Sequence, residues 1–164
     1  MRSNKQNIEE EYTLVMAFGT FDYLHAGHEQ YLKKAKALGD ELIVVIARDK
    51  TVKQIKGRPA TNSERKRAKS IRNLNIADRI ILGYHGDKHK VLRKYRPNTI
   101  ALGYDQFVFT QKLKKTLIDL KLNAKIIRID SYFPQVYKSS ILRNMEKTKN
   151  ELEKDPSLKI ATIK

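Results

Sequence analysis

The chain has 164 residues, 40% of them hydrophobic, which suits one globular domain with a single core. Its 34 Lys and Arg residues outnumber 18 Asp and Glu residues, giving a net charge of +16 that favours anionic ligands. The absence of cysteine excludes disulfides and thiolate catalysis, and without a signal peptide or an apolar run near 20 residues we expect a cytoplasmic protein with no membrane partner.

Five short apolar runs predict β-strands. The second run is hydrophobic almost throughout, as expected for a strand that is covered on both faces. The runs occupy residues 14–18, 41–47, 79–82, 99–102 and 125–129.

Helical patterns separate and follow these strands. Thr61 and Glu64 form a capping-box pattern that predicts the start of the helix after the second strand. Because strands alternate with helices, we predict an α/β fold: a Rossmann-like five-stranded parallel sheet with helices on both faces. The predicted helices cover residues 28–38, 61–74, 88–95, 111–120 and 139–153.

Open α/β sheets bind ligands beyond the carboxyl ends of their strands, and the unusual residues of this chain concentrate there. Residues 48–72, which follow the second strand, hold ten Lys and Arg residues against two acids. A basic segment inside a folded domain favours phosphate ligands, although any single lysine could equally be a solvated surface charge.

The most informative segment is residues 19–28, Gly-Thr-Phe-Asp-Tyr-Leu-His-Ala-Gly-His, directly after the first strand. A glycine at a helix entrance lets the backbone approach a phosphate, and free helix N–H groups favour anions. His25 and His28 can donate hydrogen bonds to phosphate oxygens as charge builds up in a transfer reaction. The segment therefore predicts a phosphate site.

Two other roles for His25 and His28 stay open at this point. Metal ligation needs further ligands, and only Asp22 is close in sequence, since His85 and His89 belong to another loop. A structural role such as helix capping is the second alternative.

Residues 19–28 resemble the GTFD-x-x-H-x-G-H signature of the cytidylyltransferase-like nucleotidyltransferases, and the similarity extends over residues 14–143. Residues 101–106, Ala-Leu-Gly-Tyr-Asp-Gln, are similar to the archaeal FAD synthases, whereas cytidylyltransferases carry Gly-Asp-Asp-Trp there. The chain also lacks the Arg-Thr-Glu-Gly stretch of the glycerol-phosphate enzymes and has Tyr132-Phe133-Pro134 in that region.

The resemblance implies the HxGH nucleotidyltransferase fold and the transfer of AMP from ATP to FMN, giving FAD and pyrophosphate. The alternative is CTP:glycerol-3-phosphate cytidylyltransferase activity. The resemblance further implies a divalent cation such as Mg²⁺ and a homodimer. We expect a polar N-terminal extension over residues 1–12, a nucleotidyltransferase domain over 13–143, and a C-terminal helix with a frayed tail over 144–164.

The same resemblance implies roles for individual residues. His25, His28 and Lys53 are the expected catalytic residues, with Lys56 and Arg58 as further candidates for neutralising the triphosphate. Asp49 and Arg65 are expected near the acceptor, whereas Asp22 either contributes to the site or braces the loop. The expected nucleotide-binding residues are Thr20, Phe21, His25, Ala26, Gly27, His28, Asp105, Ser139 and Ser140.

A nucleic-acid-binding module is the hypothesis from another functional class. It would use the basic surface of residues 48–72, but it gives residues 19–28 no purpose, and the sequence shows neither an RNP pattern nor zinc-finger spacing. We therefore expect no nucleic-acid partner.

Overall fold

A computed structural model describes residues 11–87, 89–132 and 139–154. Its strands form one parallel sheet in the order β3-β2-β1-β4-β5. This confirms the predicted α/β class and the predicted strands, of which the third and fifth match residue for residue. The strands are β1 (Leu14–Gly19), β2 (Glu41–Ile46), β3 (Arg79–Leu82), β4 (Thr99–Gly103) and β5 (Lys125–Ile129).

The helices cover both faces of the sheet, as predicted. Side chains alternate along each strand, so one face packs against the first and third helices and the other against the fourth and fifth. The helices are α1 (Ala26–Lys36), α2 (Asp49–Lys56), α3 (Glu64–Arg72), α4 (Lys90–Tyr95), α5 (Phe107–Asp119) and α6 (Ser139–Lys154).

Three predictions about helix boundaries were wrong. The segment 48–58, where no helix is predicted, contains α2, and α5 begins at Phe107 rather than at residue 111. The capping box of Thr61 and Glu64 does not form. Ser63 is the N-cap of α3 and accepts from the Lys66 N–H at 3.3 Å, because the Thr61 N–H is donated to Asp22.

Strand β1 lies at the centre of the sheet: β2 and β3 follow on one side, and β4 and β5 follow on the other. Such a switch point leaves a crevice at the carboxyl ends of the two strands, where α/β proteins bind their ligands. Residues 19–28 follow β1 and residues 104–106 follow β4, so the fold brings the two segments with unusual sequence to this crevice. The division at residues 12 and 143 stays a prediction, and residues 1–10 and 155–164 lie outside the described part.

Candidate active site

The loop between β1 and α1 is shaped by the packing of Phe21. The Phe21 ring is buried in the core, and its backbone has a φ of 52°, which is unusual for a residue with a side chain. A Cβ on Gly19 would lie 2.5 Å from this ring, so glycine is required there. The buried ring of Phe21 thus anchors the loop to the core.

His25 and His28 meet at the N-terminus of α1. Their rings stack with centroids 3.9 Å apart, and the edge of Phe21 packs on His28 at 5.2 Å. His25 is the N-cap residue of α1, but its side chain makes no capping hydrogen bond. The carbonyl of His25 accepts from the N–H groups of His28 and Glu29. The N–H groups of Ala26 and Gly27 precede these bonds and carry the positive end of the helix dipole.

The environment keeps both imidazoles neutral. Burial, followed by the charges of His25 and Lys56, lowers the pKa of His28 from 6.5 to about 3, against a hydrogen bond to the Tyr23 backbone. Burial also lowers the pKa of His25. The buried Nδ1 of His28 has no hydrogen-bond partner among the described residues. A neutral imidazole has one donor and one acceptor nitrogen, so each ring can offer a ligand at most one N–H.

Asp22 braces the loop, which is one of the two roles expected for it. Its carboxylate accepts from the N–H groups of Thr61 and Asn62 at 3.0 and 2.8 Å and pairs with Arg143 of α6 at 2.8 Å. Burial alone would raise the pKa of Asp22, but these hydrogen bonds and the Arg143 charge lower it below its ordinary value. Asp22 therefore joins the loop to the start of α3 and to α6.

The guanidinium of Arg67 connects the segments that meet at the carboxyl ends of β1 and β2. Its side chain is fully buried and donates to three backbone carbonyls and to the Asp49 carboxylate at 2.7 Å. The carbonyls belong to Thr20, Ala47 and Asn62, which lie in three different connecting segments. One buried cation thus fixes the segments after β1 and β2 and the start of α3 relative to one another.

Asp49, expected near the acceptor, lies within this network. Its second carboxylate oxygen accepts from the Glu64 N–H at 3.1 Å, and the Asp49 N–H donates to the Glu64 carboxylate at 2.8 Å. Arg48 extends the network, because it pairs with Glu64 at 3.3 Å and donates to His85 Nε2. Asp49 therefore connects the start of α2 to the start of α3 through its two hydrogen bonds with Glu64.

Among the expected cations, Lys56 is the one coupled to the histidines. Desolvation and the charges of Arg58 and Arg143 lower the pKa of Lys56, whereas the carboxylates of Asp22 and Asp105 raise it. Lys53 lies on the same helix with an exposed side chain, and Arg65 is exposed on α3. The Lys56 side chain is exposed as well, but its charge acts on His28.

The loop after β4 lies on the other side of the crevice. Asp105 is exposed there and acts electrostatically on Lys56, and its expected role in nucleotide binding stays a prediction. The Gln106 amide donates to the Phe18 carbonyl at 2.8 Å, and Arg128 of β5 donates to the Gly103 carbonyl at 2.8 Å. These bonds hold the loop against the end of β1.

The start of α6 completes the edge. Ser139 begins the helix and Ser140 is exposed at its first turn; the Ser139 side chain lies outside the described side chains. The helix is held by the ion pair of Arg143 with Asp22 and by the Tyr23 hydroxyl, which donates to Glu146 at 2.5 Å. An open cleft of about 660 Å³ lies beside this junction, lined by Leu24, Leu142 and Met145 together with residues of α3.

These contacts support neither metal ligation nor helix capping as the role of His25 and His28. In residues 11–87, 89–132 and 139–154, no three His, Asp or Glu side chains are grouped as metal ligands. His85 and His89 are instead engaged by Arg48 and Thr116.

Across the described residues, no helix is long and apolar enough to cross a membrane.

Sequence reasoning did not assign roles to Arg67 and Arg143. Arg67 is one of ten basic residues in its segment, and only its burial distinguishes it. The available signal was its position: Arg67 lies four residues before Ile71, on the face of α3 that packs against the core. The contact of Arg143 with Asp22 spans 121 positions, so no local pattern shows it.

Comparisons with known proteins agree with this geometry. A family model described as Cytidylyltransferase-like matches residues 16–145. An FAD synthase of Thermoplasma volcanium is 43% identical over 79% of this chain and 90% of the relative. An FAD synthase of Pyrococcus horikoshii is 41% identical over 76% of this chain and 82% of the relative. A crystal structure described as the lipopolysaccharide core biosynthesis protein from Thermoplasma volcanium superimposes with a TM-score of 0.69 at 43% identity, covering 74% of this chain and 98% of that one.

Proposed function

Because the chain belongs to the cytidylyltransferase-like family, we propose that it is an FMN adenylyltransferase, which transfers AMP from ATP to FMN and releases pyrophosphate. The observation that carries the proposal is the stacked pair of imidazoles at the N-terminus of α1, in a chain that is 43% identical over 129 residues to an FAD synthase. The function expected from the sequence and the function of the relatives are the same.

The chemistry places few demands on protein side chains. The second pKa of a phosphate monoester is near 6, so the FMN phosphate is already a dianion at neutral pH and needs no general base. One of its oxygens attacks the α-phosphorus of ATP, a new P–O bond forms, and the bond to the bridging α–β oxygen breaks. Pyrophosphate leaves with the bonding electrons, so the protein must align the reactants and stabilise negative charge.

We assign charge stabilisation to the contacts around His25 and His28. A neutral imidazole has one N–H, so His28 donates to an α- or β-phosphate oxygen when that oxygen replaces the Tyr23 backbone as its acceptor, while the positive end of α1 faces the same group. Lys56 and Arg143 supply the cations that neutralise the leaving pyrophosphate, with Ser140 at the start of α6. Because the charge of Lys56 acts on His28, we propose a larger role for Lys56 than for Lys53.

A divalent cation such as Mg²⁺ would bind mainly through phosphate oxygens and water, as Mg²⁺ commonly does with nucleotides. Among the described residues, no three His, Asp or Glu side chains are grouped as metal ligands, so we propose no protein cage for the ion. The ion would neutralise phosphate charge. A homodimer and a cytoplasmic location stay predictions.

A product assay tests the proposal. The protein is incubated with Mg²⁺ and either ATP or CTP, each combined with FMN, glycerol 3-phosphate or a sugar phosphate, and products are identified by mass spectrometry. The sugar phosphate is included because of the description of the Thermoplasma volcanium structure. We expect FAD from ATP and FMN. CDP-glycerol or a nucleotide sugar as the main product would refute the FMN adenylyltransferase assignment.

A further inference from the structure

Helix α6 is half-buried only at its first turns, at Ile141, Leu142 and Arg143, among its described side chains. None of its described side chains is buried, and Met145 is 63% exposed. A helix docked without a buried face depends on specific polar contacts for its position. In the described residues, those contacts converge on the loop that carries the two histidines.

Tyr23 contacts α6 at two points. Its hydroxyl donates to Glu146 Oε2 at 2.5 Å, and the Arg143 guanidinium lies over its ring, 5.3 Å from the centroid. Arg143 and Glu146 are three positions apart on a helix, so they lie on the same face. One aromatic side chain therefore engages both of them.

We propose that Tyr23 is a positioning residue, which holds Arg143 and the first turn of α6 at the nucleotide site through its contacts with both Arg143 and Glu146. The proposal rests on the proposed function, which places the ATP phosphates between His28, Lys56 and α6. Tyr23 itself touches neither substrate.

The need for such a residue follows from the freedom of Arg143. A long arginine side chain loses considerable rotamer entropy when it is fixed, and a single carboxylate partner leaves much of that freedom. Asp22 engages Nη2 at 2.8 Å, whereas Nε reaches only the Thr61 hydroxyl, at 3.5 Å. The ring of Tyr23 restricts the guanidinium plane from a second direction.

Loss of this restraint should weaken ATP binding more than it slows the chemical step. Arg143 and the start of α6 would contact the phosphates both before and during the reaction, so removing their restraint raises KM with little change in kcat. One net hydrogen bond corresponds to about a threefold to tenfold change in affinity.

The experiment compares Tyr23→Phe, Glu146→Ala and the double variant. We expect KM for ATP to rise about threefold to tenfold in each, with kcat within about twofold. The KM of the double variant should resemble that of each single variant, because either substitution alone already removes the same hydrogen bond. Glu146→Gln keeps an acceptor oxygen and should restore most of the loss. The matched control is Tyr12→Phe, which removes a tyrosine–glutamate hydrogen bond, to Glu41, at the opposite end of the sheet and should leave KM unchanged.

Two readouts separate this inference from the function itself. Hydrogen exchange of residues 139–154 should be faster in Tyr23→Phe than in the wild type and unchanged in Tyr12→Phe. Calorimetric ATP affinity is measured without FMN, so a different acceptor would refute the proposed function and leave this test intact. Unchanged ATP affinity in Tyr23→Phe, or an equal loss in Tyr12→Phe, would overturn the positioning role. A wild-type protein that binds no ATP would overturn both proposals.

Discussion

The two ends of the sheet use charged side chains in different ways. At the amino ends of the strands, Arg79 pairs with Glu41 and Lys36 pairs with Asp78 at 2.6 Å, and both basic side chains are substantially exposed. At the carboxyl ends, Arg67 and Asp22 are buried and each has several partners. Exposed pairs are screened by water, whereas a buried ion that loses its partners is strongly destabilising.

This difference explains why the site lies at the carboxyl edge. A phosphate site needs donors whose positions are fixed before the reaction begins, because fixed dipoles need no reorganisation when charge develops. Arg67 and Asp22 fix the backbone of the segments after β1 and β2 and the start of α3. The amino edge has no such demand, and its pairs can remain solvated.

The largest expected effect comes from Arg67→Met, which removes the buried cation at similar volume. Three carbonyls and the Asp49 carboxylate lose their donor, so we expect the free energy of unfolding to fall by about 3–5 kcal/mol. Urea denaturation followed by circular dichroism measures it. Arg67→Lys keeps the charge but has fewer donors, so its free energy of unfolding should lie between those of the wild type and Arg67→Met. This variant can be measured even if Arg67→Met does not fold.

The matched control for that variant is Arg79→Met at the amino edge. Because the Arg79 side chain is 48% exposed, we expect a loss below about 1 kcal/mol. Equal losses in the two methionine variants would contradict the difference between the two ends of the sheet.

The next effect concerns catalysis. His28→Ala removes one preorganised donor, so we expect the protein to fold normally while kcat drops about a hundredfold to a thousandfold. Single-turnover FAD formation measures the chemical step. His89→Ala is the control, since His89 contacts Thr116 of α5, and its rate should stay within about twofold. Retention of more than about a tenth of the wild-type rate by His28→Ala would show that His28 does not stabilise charge.

The sequence predicted the parts of this molecule that depend on local patterns. Every strand appeared as an apolar run, and residues 19–28 stood out because glycine and two histidines follow a buried strand. The second helix was missed because four of its eight residues are charged and only Val52 is buried. The cap of α3 was misassigned because Asp22, 39 positions away, takes the Thr61 N–H.

The organisation behind the site could not be predicted in the same way. Lysines 53 and 56 look alike in sequence, and only the fold brings Lys56 within range of His28 and Arg143. Likewise, nothing near Tyr23 in the chain indicates a hydrogen bond to Glu146, which is 123 positions away. Motifs identify the groups that meet the substrate, whereas their supports come from long-range packing.

The smallest effect separates the buried histidine from the buried carboxylate by the pH at which each one titrates. The pKa of His28 is about 3 in the folded chain and near 6.5 when unfolded, so the unfolded chain binds more protons between these values. The free energy of unfolding should therefore fall as the pH drops from about 6.5 towards 3. The pKa of Asp22 is lowered from 3.8, so the stability that Asp22 contributes is present above about pH 4 and is lost below it.

The interval between about pH 5 and pH 7 thus isolates the histidines from the carboxylates at both ends of the sheet. Between these limits we expect the wild type to lose about 1–2 kcal/mol more than His28→Ala, in which the titrating ring is absent. Urea denaturation at the two pH values measures the difference, and His25 remains in both proteins. Parallel pH profiles for the two proteins would mean that His28 titrates normally in the folded state, and its imidazole would then be charged below about pH 6.5.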